Sequence, residues 1–169
     1  MTVTIRRALA HDAGAGAACH IACWREAYAT IVEPKVLAER TSDLAERTER
    51  WRQMITDPRP RWIAVTAGGE VVGFSAAGPG RDDDIDIGLE LYAIYVRAAH
   101  QGTGIADRLI ETALGPAAAY LWVFEANPRA RAFYTRHRFA PEGARKVEPL
   151  FERPEIRMVR DQIVTTAGS

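Results

Sequence analysis

The chain has 169 residues, enough at ~150 per domain for one domain that buries roughly 70% of its unfolded surface. Hydrophobic residues make up 47% and charged residues 26%, which excludes a disordered polyelectrolyte. Lys+Arg 22 against Asp+Glu 22 gives zero net charge, which argues against holding nucleic acid or an anionic membrane by bulk charge. Cys19 and Cys23 are the only cysteines, too few for a secreted disulfide scaffold. No apolar run approaches ~18 residues, so no membrane-spanning helix is expected. Arg6-Arg7 ahead of an Ala/Gly-rich stretch loosely imitates a twin-arginine leader. His11, Asp12 and His20 interrupt its apolar core, and Trp24-Arg25-Glu26 stands where small residues are needed for cleavage. The reading is therefore a first strand and helix of a cytoplasmic protein.

In chain order, Thr2 to Arg6 alternates as a strand, and Asp12 is placed to cap a helix bearing Ala17, Ile21, Trp24 and Tyr28 on one face. Pro34 opens a short helix, and Leu44, Thr48, Trp51 and Ile55 mark another that Asp57-Pro58 ends. Trp62 to Thr66 and Val71 to Ala76 flank Gly68-Gly69 as a hairpin. The acidic run Asp82 to Asp84 reads as a solvated loop, with steering of a cationic amine as the functional alternative. The strand Leu89 to Val96 then enters a turn at Gln101 to Gly104, and a helix carries Ile105, Leu109, Ile110 and Ala113 to Gly115-Pro116. Tyr120 to Phe124 is a buried strand, Pro128 opens a last helix, and strands near Phe139 and at Glu155 to Val159 close a domain over residues 1–160. Residues 161–169 read as a polar tail. The whole is a mixed α/β domain on one sheet.

The informative stretch runs from Glu90 through Ile110. Gly102 and Gly104 let backbone N–H groups converge beside a helix N-terminus, where unpaired donors and the helix dipole favour an anion. On these two glycines alone, a phosphate cradle and a plain strand-to-helix turn are both open. No lysine follows as a P-loop requires, and a dinucleotide fingerprint lacks its third glycine. Glu90 and Val96, six residues apart in one strand, fall on one face by period two.

Gln101-Gly-Thr-Gly-Ile-Ala106 resembles the Gln/Arg-x-x-Gly-x-Gly/Ala motif of the GNAT N-acetyltransferases. Asn127, Ala130, Phe133, Tyr134 and Phe139 resemble that family's Asn-x-x-Ala-x-x-Phe-Tyr-x-x-x-Gly-Phe segment. The Trp24 to Tyr28 helix and the Glu155 to Val159 strand also look familiar from one bacterial branch, so the likeness covers almost the whole chain. The resemblance implies the acyl-CoA N-acyltransferase fold, a mostly antiparallel mixed sheet with splayed central strands and flanking helices. It implies acetyl-CoA as co-substrate, an amine acceptor and no metal. It further implies that Val96 pairs with the pantetheine arm, that Gln101, Gly102, Thr103, Gly104, Ile105 and Ala106 hold the pyrophosphate, and that Asn127 contacts the pantetheine. Tyr134 stands where the family has the acid that protonates the leaving thiolate. Glu90 is the candidate base, with a solvated strand-end charge as its alternative and Glu125 in reserve.

Trp24 and Tyr28 border the acceptor side as an aromatic wall or serve as core packing. Cys19 and Cys23 read as small buried thiols, and His100 beside the turn as a surface residue or a phosphate contact. Arg138 replaces the family's usual Gly at a helix end suited to positive φ, a substitution costing ~1 kcal/mol. The expected reaction is acetyl transfer to a primary amine of a small molecule, amino acid or peptide. A non-catalytic acyl-CoA sensor and a protein- or aminoacyl-tRNA-modifying enzyme are the alternatives. Family members often form homodimers, and no seam is legible in the sequence.

Overall fold

The computed structural model describes residues 2–163. Its elements are β1 (Val3–Arg7), α1 (Ala13–Tyr28), α2 (Pro34–Arg40), α3 (Leu44–Thr56), β2 (Arg61–Thr66), β3 (Val71–Pro79), β4 (Leu89–Val96), α4 (Ile105–Leu114), β5 (Ala119–Phe124), α5 (Pro128–Arg136), β6 (Ala140–Glu148) and β7 (Arg153–Arg160). The expected element order holds through β7; the expected tail lies largely outside the described residues. No described helix is long and apolar enough to cross a membrane.

The strands form one sheet in the order β1-β2-β3-β4-β5-β7-β6. All neighbours are antiparallel except β4 and β5, which run parallel and pair only at Glu90–Tyr120 and Leu91–Leu121. This is the mixed sheet with parted central strands and flanking helices that the resemblance implied. One face carries α1 and α3, where Trp51, Ile63, Phe74 and Ala17 are fully buried. The other carries α4 and α5 over Ile110, Leu121, Phe139 and Met158. The outermost strand, β6, is mostly exposed, and its pairing with β7 is interrupted between Pro141 and Arg145.

Two local expectations change. Asp12 does not cap α1. A short 3-10 turn over Ala10–Asp12 runs directly into that helix, leaving Asp12 itself in helical geometry. Its carboxylate instead accepts from both Arg6 guanidinium nitrogens at 2.7 and 2.8 Å and from Leu9 N–H at 2.8 Å, which draws its pKa down. The acidic loop is also not simply solvated. Arg157 on β7, almost wholly buried, donates to Asp82 at 2.9 Å, to Asp84 at 2.6 and 3.1 Å and to Glu142 at 2.7 Å. Three carboxylates around one guanidinium offset the cost of burying it.

Helix α1 lies close on α3 because Gly16 faces the Trp51 ring. A Cβ added at Gly16 would stand 2.3 Å from Trp51 Cζ3, well inside contact distance. Alanine there gains up to ~1 kcal/mol in helix propensity, but overpacking a filled core costs roughly 1–3 kcal/mol or more, and at this separation the steric cost wins. Gly16→Ala is expected to lower the free energy of unfolding by about 1–3 kcal/mol, read from urea melts. Equal or higher stability would mean that α1 and α3 are free to move apart.

Candidate active site

The site grows from the parting of β4 and β5. Arg97 N–H donates to Val72 C=O at 2.9 Å, so by alternation the backbone groups of Ile94 and Val96 point away from β3. They face the side where the β5 ladder has already stopped. Gln101 turns back across this edge and donates from Nε2 to Val96 C=O at 3.0 Å. Beyond it, Gly102 and Gly104 adopt φ of 75° and 80°, and a Cβ at either would meet nothing within 4 Å. Among the described residues, the N–H groups of Gly102, Thr103 and Gly104 donate to no protein acceptor. Gly104 is the N-cap of α4, and the first-turn amides from Ile105 and Ala106 point the same way. Outward donors on open, positive-φ glycines at a helix N-terminus form a cradle for an anion. His100 caps nothing there; its carbonyl accepts from Thr103 Oγ1 at 2.6 Å.

Asn127 is the N-cap of α5. Its Oδ1 accepts from Ala130 N–H at 3.1 Å, which leaves Nδ2 as the group able to reach a ligand. About two turns further on, Tyr134 is buried, at 9% exposure. Its hydroxyl has no protein hydrogen-bond partner among the described residues, yet it is not a sealed orphan. Burial, followed by the nearby Tyr95 and Glu155, raises its pKa above the usual phenol value, so it carries its proton at any physiological pH.

A Schellman motif holds Tyr134 in place. Phe139 N–H donates to Tyr134 C=O and Arg138 N–H to Thr135 C=O, both at 3.0 Å, and the Phe139 ring lies 6.0 Å from that of Tyr134. Arg138 is the residue at C′ and has φ of 67°, so the fold keeps the left-handed turn that the family's glycine would make without strain.

Glu90 does not share a face with Val96. The β3–β4 register shifts between Ala76 and Ala77, pairing Ala76 with Ala93 but Ala77 with Leu91. Tyr92 is the extra residue, and this bulge reverses the parity of the strand. Val96 packs over α4 with Leu109 and Ile105, whereas Glu90 lies on the α1 face with its β5 neighbour Tyr120. There its carboxylate, 1% exposed, accepts from Arg81 Nε at 2.9 Å, Arg81 Nη2 at 2.5 Å and Tyr120 Oη at 3.1 Å. Glu125 is engaged too, by Arg145.

Trp24 and Tyr28 are both buried, 6% and 8% exposed, against Phe151. Tyr28 Oη and Tyr95 Oη share a hydrogen bond of 2.5 Å, and burial raises both pKa values. Cys19 and Cys23 are buried free thiols 3.9 Å apart, and no set of three potential metal ligands occurs among the described residues. The sequence reading missed Glu155. It pairs with Phe124 on β5 and Lys146 on β6, and so stands on the same face as Phe124, beside Tyr28. The available signal was an acidic residue in a strand flanked on both sides, where two covered faces favour apolar residues.

The Acetyltransferase (GNAT) family matches residues 24–139, from the C-terminal part of α1 to the Schellman turn. This chain belongs to the GNAT acetyltransferase family. A Mycobacterium tuberculosis protein named "Probable N-acetyltransferase Rv2775" is 33% identical over 145 residues, covering 83% of this chain and 82% of that protein. "Uncharacterized N-acetyltransferase YuaI" of Bacillus subtilis is 28% identical over 162 residues, covering 92% and 88%. Among solved structures, the PaiA N-acetyltransferase of Thermoplasma acidophilum in complex with coenzyme A superposes with a TM-score of 0.72 at 16% identity, over 95% of this chain and 99% of that one. YncA of Salmonella typhimurium with acetyl-CoA gives 0.68 at 19% identity, over 100% and 98%.

Replacing Arg138 by Gly removes the strain of a residue with a Cβ at positive φ while keeping both turn hydrogen bonds. Arg138→Gly is expected to stabilise the GNAT fold by about 1 kcal/mol, or roughly 2–4 °C in melting temperature. A fall in melting temperature would show that the Arg138 side chain makes a contact outweighing its backbone cost.

Proposed function

We propose that this GNAT protein transfers the acetyl group of acetyl-coenzyme A to a primary amine of a small molecule, amino acid or peptide, by direct attack and without a covalent enzyme intermediate. The observation that carries the reading is the continuity of one surface. The backbone edge of Ile94 and Val96 that β5 leaves open, touched only by Gln101 Nε2 at Val96 C=O, leads into the unpaired amides of Gly102 to Gly104, and the Tyr134 hydroxyl on α5 is free. The coenzyme A and acetyl-CoA in the PaiA and YncA structures support the same donor here.

On this reading, the amides of Gly102, Thr103 and Gly104 and the first turn of α4 hold the pyrophosphate. The backbone of Val96 receives the amide-bearing pantetheine arm as an added strand, and Asn127 Nδ2 steadies it from α5. Bound acetyl-coenzyme A supplies a thioester carbonyl as electrophile and a thiolate as leaving group. Tyr134 hands its proton to the departing sulfur and recovers one from the newly acylated nitrogen. Its raised pKa fits a residue that must stay protonated until sulfur leaves. Glu90 serves the fold, because its carboxylate is occupied by Arg81 and Tyr120 at the closed end of the β4–β5 gap.

The test is thiol release from acetyl-coenzyme A across a panel of amines, amino acids, polyamines and peptides. Release is expected to depend on one amine class. Tyr134→Phe is expected to lower kcat by about 10²-fold while coenzyme A still raises the melting temperature. Thiol release unchanged in that variant would remove Tyr134 from the mechanism. A thermal shift without release by any amine would favour a coenzyme A sensor. Glu90→Gln, in contrast, is expected to cost about 1–3 kcal/mol of stability in urea melts. Its turnover should stay within about threefold of the native rate, well short of the effect of losing a general base. A drop of about 10²-fold without destabilisation would return Glu90 to the role of base.

A further inference from the structure

The acceptor nitrogen arrives as an ammonium and must lose a proton before it can attack, so the site needs a free carboxylate or an equivalent acceptor. The carboxylates near the parted strands are nearly all committed. Glu90 is held by Arg81, Glu125 by Arg145, and Asp82, Asp84 and Glu142 by Arg157. Glu26 receives Arg97 Nε at 2.9 Å and Ala98 N–H at 2.7 Å, and Glu148 accepts the amides of Leu150 and Phe151.

Glu155 is different. Among the described residues it has neither an ion-pair nor a hydrogen-bond partner, although it stands in the interior of the sheet between β5 and β6. Lys146, its direct cross-strand neighbour, places Nζ 3.9 Å over the Trp122 ring and forms no ion pair with it. Neither Glu155 oxygen is sealed from the surface. Its strand neighbour Phe124 packs 4.9 Å from Tyr28, whose hydroxyl reaches Tyr95 on β4. Glu155 thus lies one strand from the gap, on the face that α1 covers, against aromatic rings. A largely buried carboxylate without a partner costs free energy unless a cation arrives from outside or the group takes up a proton.

We propose that Glu155 receives the ammonium of the acceptor and takes the proton that its nitrogen must lose before attack. The inference rests on the acetyl-transfer reading above. The ammonium gives one proton to the Glu155 carboxylate, and the freed nitrogen lone pair forms the C–N bond at the thioester carbon. The C–S bond breaks, sulfur leaves with its electron pair and takes the Tyr134 proton. The second proton of the nitrogen restores Tyr134, and Glu155 releases its own to solvent. The sum is ammonium plus thioester giving amide, free thiol and one proton.

The surroundings suit this task. Burial pushes the Glu155 carboxyl up to about 7. Lys146 and Arg81 pull it down and Glu148 and Glu90 push it up, all by less than burial does. Arg153 and Arg157 flank it on its own strand, Arg157 being taken by its three carboxylates. Tyr28, Tyr95 and Tyr134 have raised values and stay neutral throughout this range. The active form is the carboxylate, so activity should rise with pH through about 7. The stability link runs the other way. A carboxyl raised in the folded state favours folding at low pH, and that contribution is lost as pH rises through about 7.

The experiment measures kcat/KM for thiol release from acetyl-coenzyme A between pH 5 and 9, using a panel of methylamine, spermidine, L-amino acids and glycyl peptides. Native protein, Glu155→Gln and Glu155→Asp are compared. The native profile should show an ascending limb near pH 7, separate from the titration of the amine itself. Glu155→Gln should lose that limb and about 10²-fold in kcat/KM at pH 8, while keeping the coenzyme A thermal shift. Glu155→Asp should recover the limb. The melting temperature of Glu155→Gln, relative to native, should rise from pH 5 to pH 8. A limb that persists near pH 7 in Glu155→Gln, or a loss smaller than about threefold, overturns the assignment while leaving acetyl transfer intact. Absence of thiol release from the native protein with every amine overturns the acetyl-transfer reading, and the role of Glu155 with it.

Discussion

The structure depends on β4 and β5 holding together at one end and separating at the other. Two residue pairs, Glu90–Tyr120 and Leu91–Leu121, make the whole ladder between them. Past that point each strand has an unpaired edge, and an unpaired edge buried in protein is unfavourable unless something replaces the missing hydrogen bonds. Here the edge of β4 leads straight to the glycine loop, so the same geometry that deprives the sheet of its hydrogen bonds creates a place for an extended ligand. The chain leaves its own sheet unfinished along this edge.

The closed end of the gap must then be secured. Arg81 and Tyr120 grip Glu90, while Arg157 gathers the acidic loop and Glu142 beneath it. Glu90 and Arg157 are removed from water and would be costly singly, but each faces partners of opposite charge through short, well-directed bonds. On the α1 side, Tyr28 and Tyr95 bridge the space above the parted strands through their hydroxyls. The opening is thus bounded below by ion pairs and on one side by aromatic rings, with α5 and its Tyr134 on the other.

What the sequence reveals follows from the range of the interactions. The glycine turn from Gln101 to Gly104 and the start of α4 were legible because their conformation is decided within a few residues, by glycines that reach positive φ and by the helix start. The order of strands and helices was legible for a similar reason, through apolar periodicity and turn residues. The faces within β4 were not. Period two carries Glu90 and Val96 to one side only if the strand is regular, and the bulge at Tyr92 arises from pairing with β3, which no local pattern announces. Asp12 was misjudged because Arg6, on another element, competes for its carboxylate. Glu155 went unweighed for the opposite reason: its meaning lies in having no partner in the fold, and that is visible only when every neighbouring carboxylate can be seen with its own.

The outer strand β6 has a further consequence. A free sheet edge offers a template on which another chain can add, the usual first step of aggregation through strand pairing. Here Pro141 has no N–H to offer, Gly143 turns to φ of 112°, and Ala144 N–H is already held by Glu142 at 3.1 Å. Arg145, Lys146 and Glu148 add charge along the same strand. An incoming strand would meet an irregular, charged border with its donors missing or taken. The outer margin at β6 is thus built to refuse an added strand, in contrast to the open internal edge of β4.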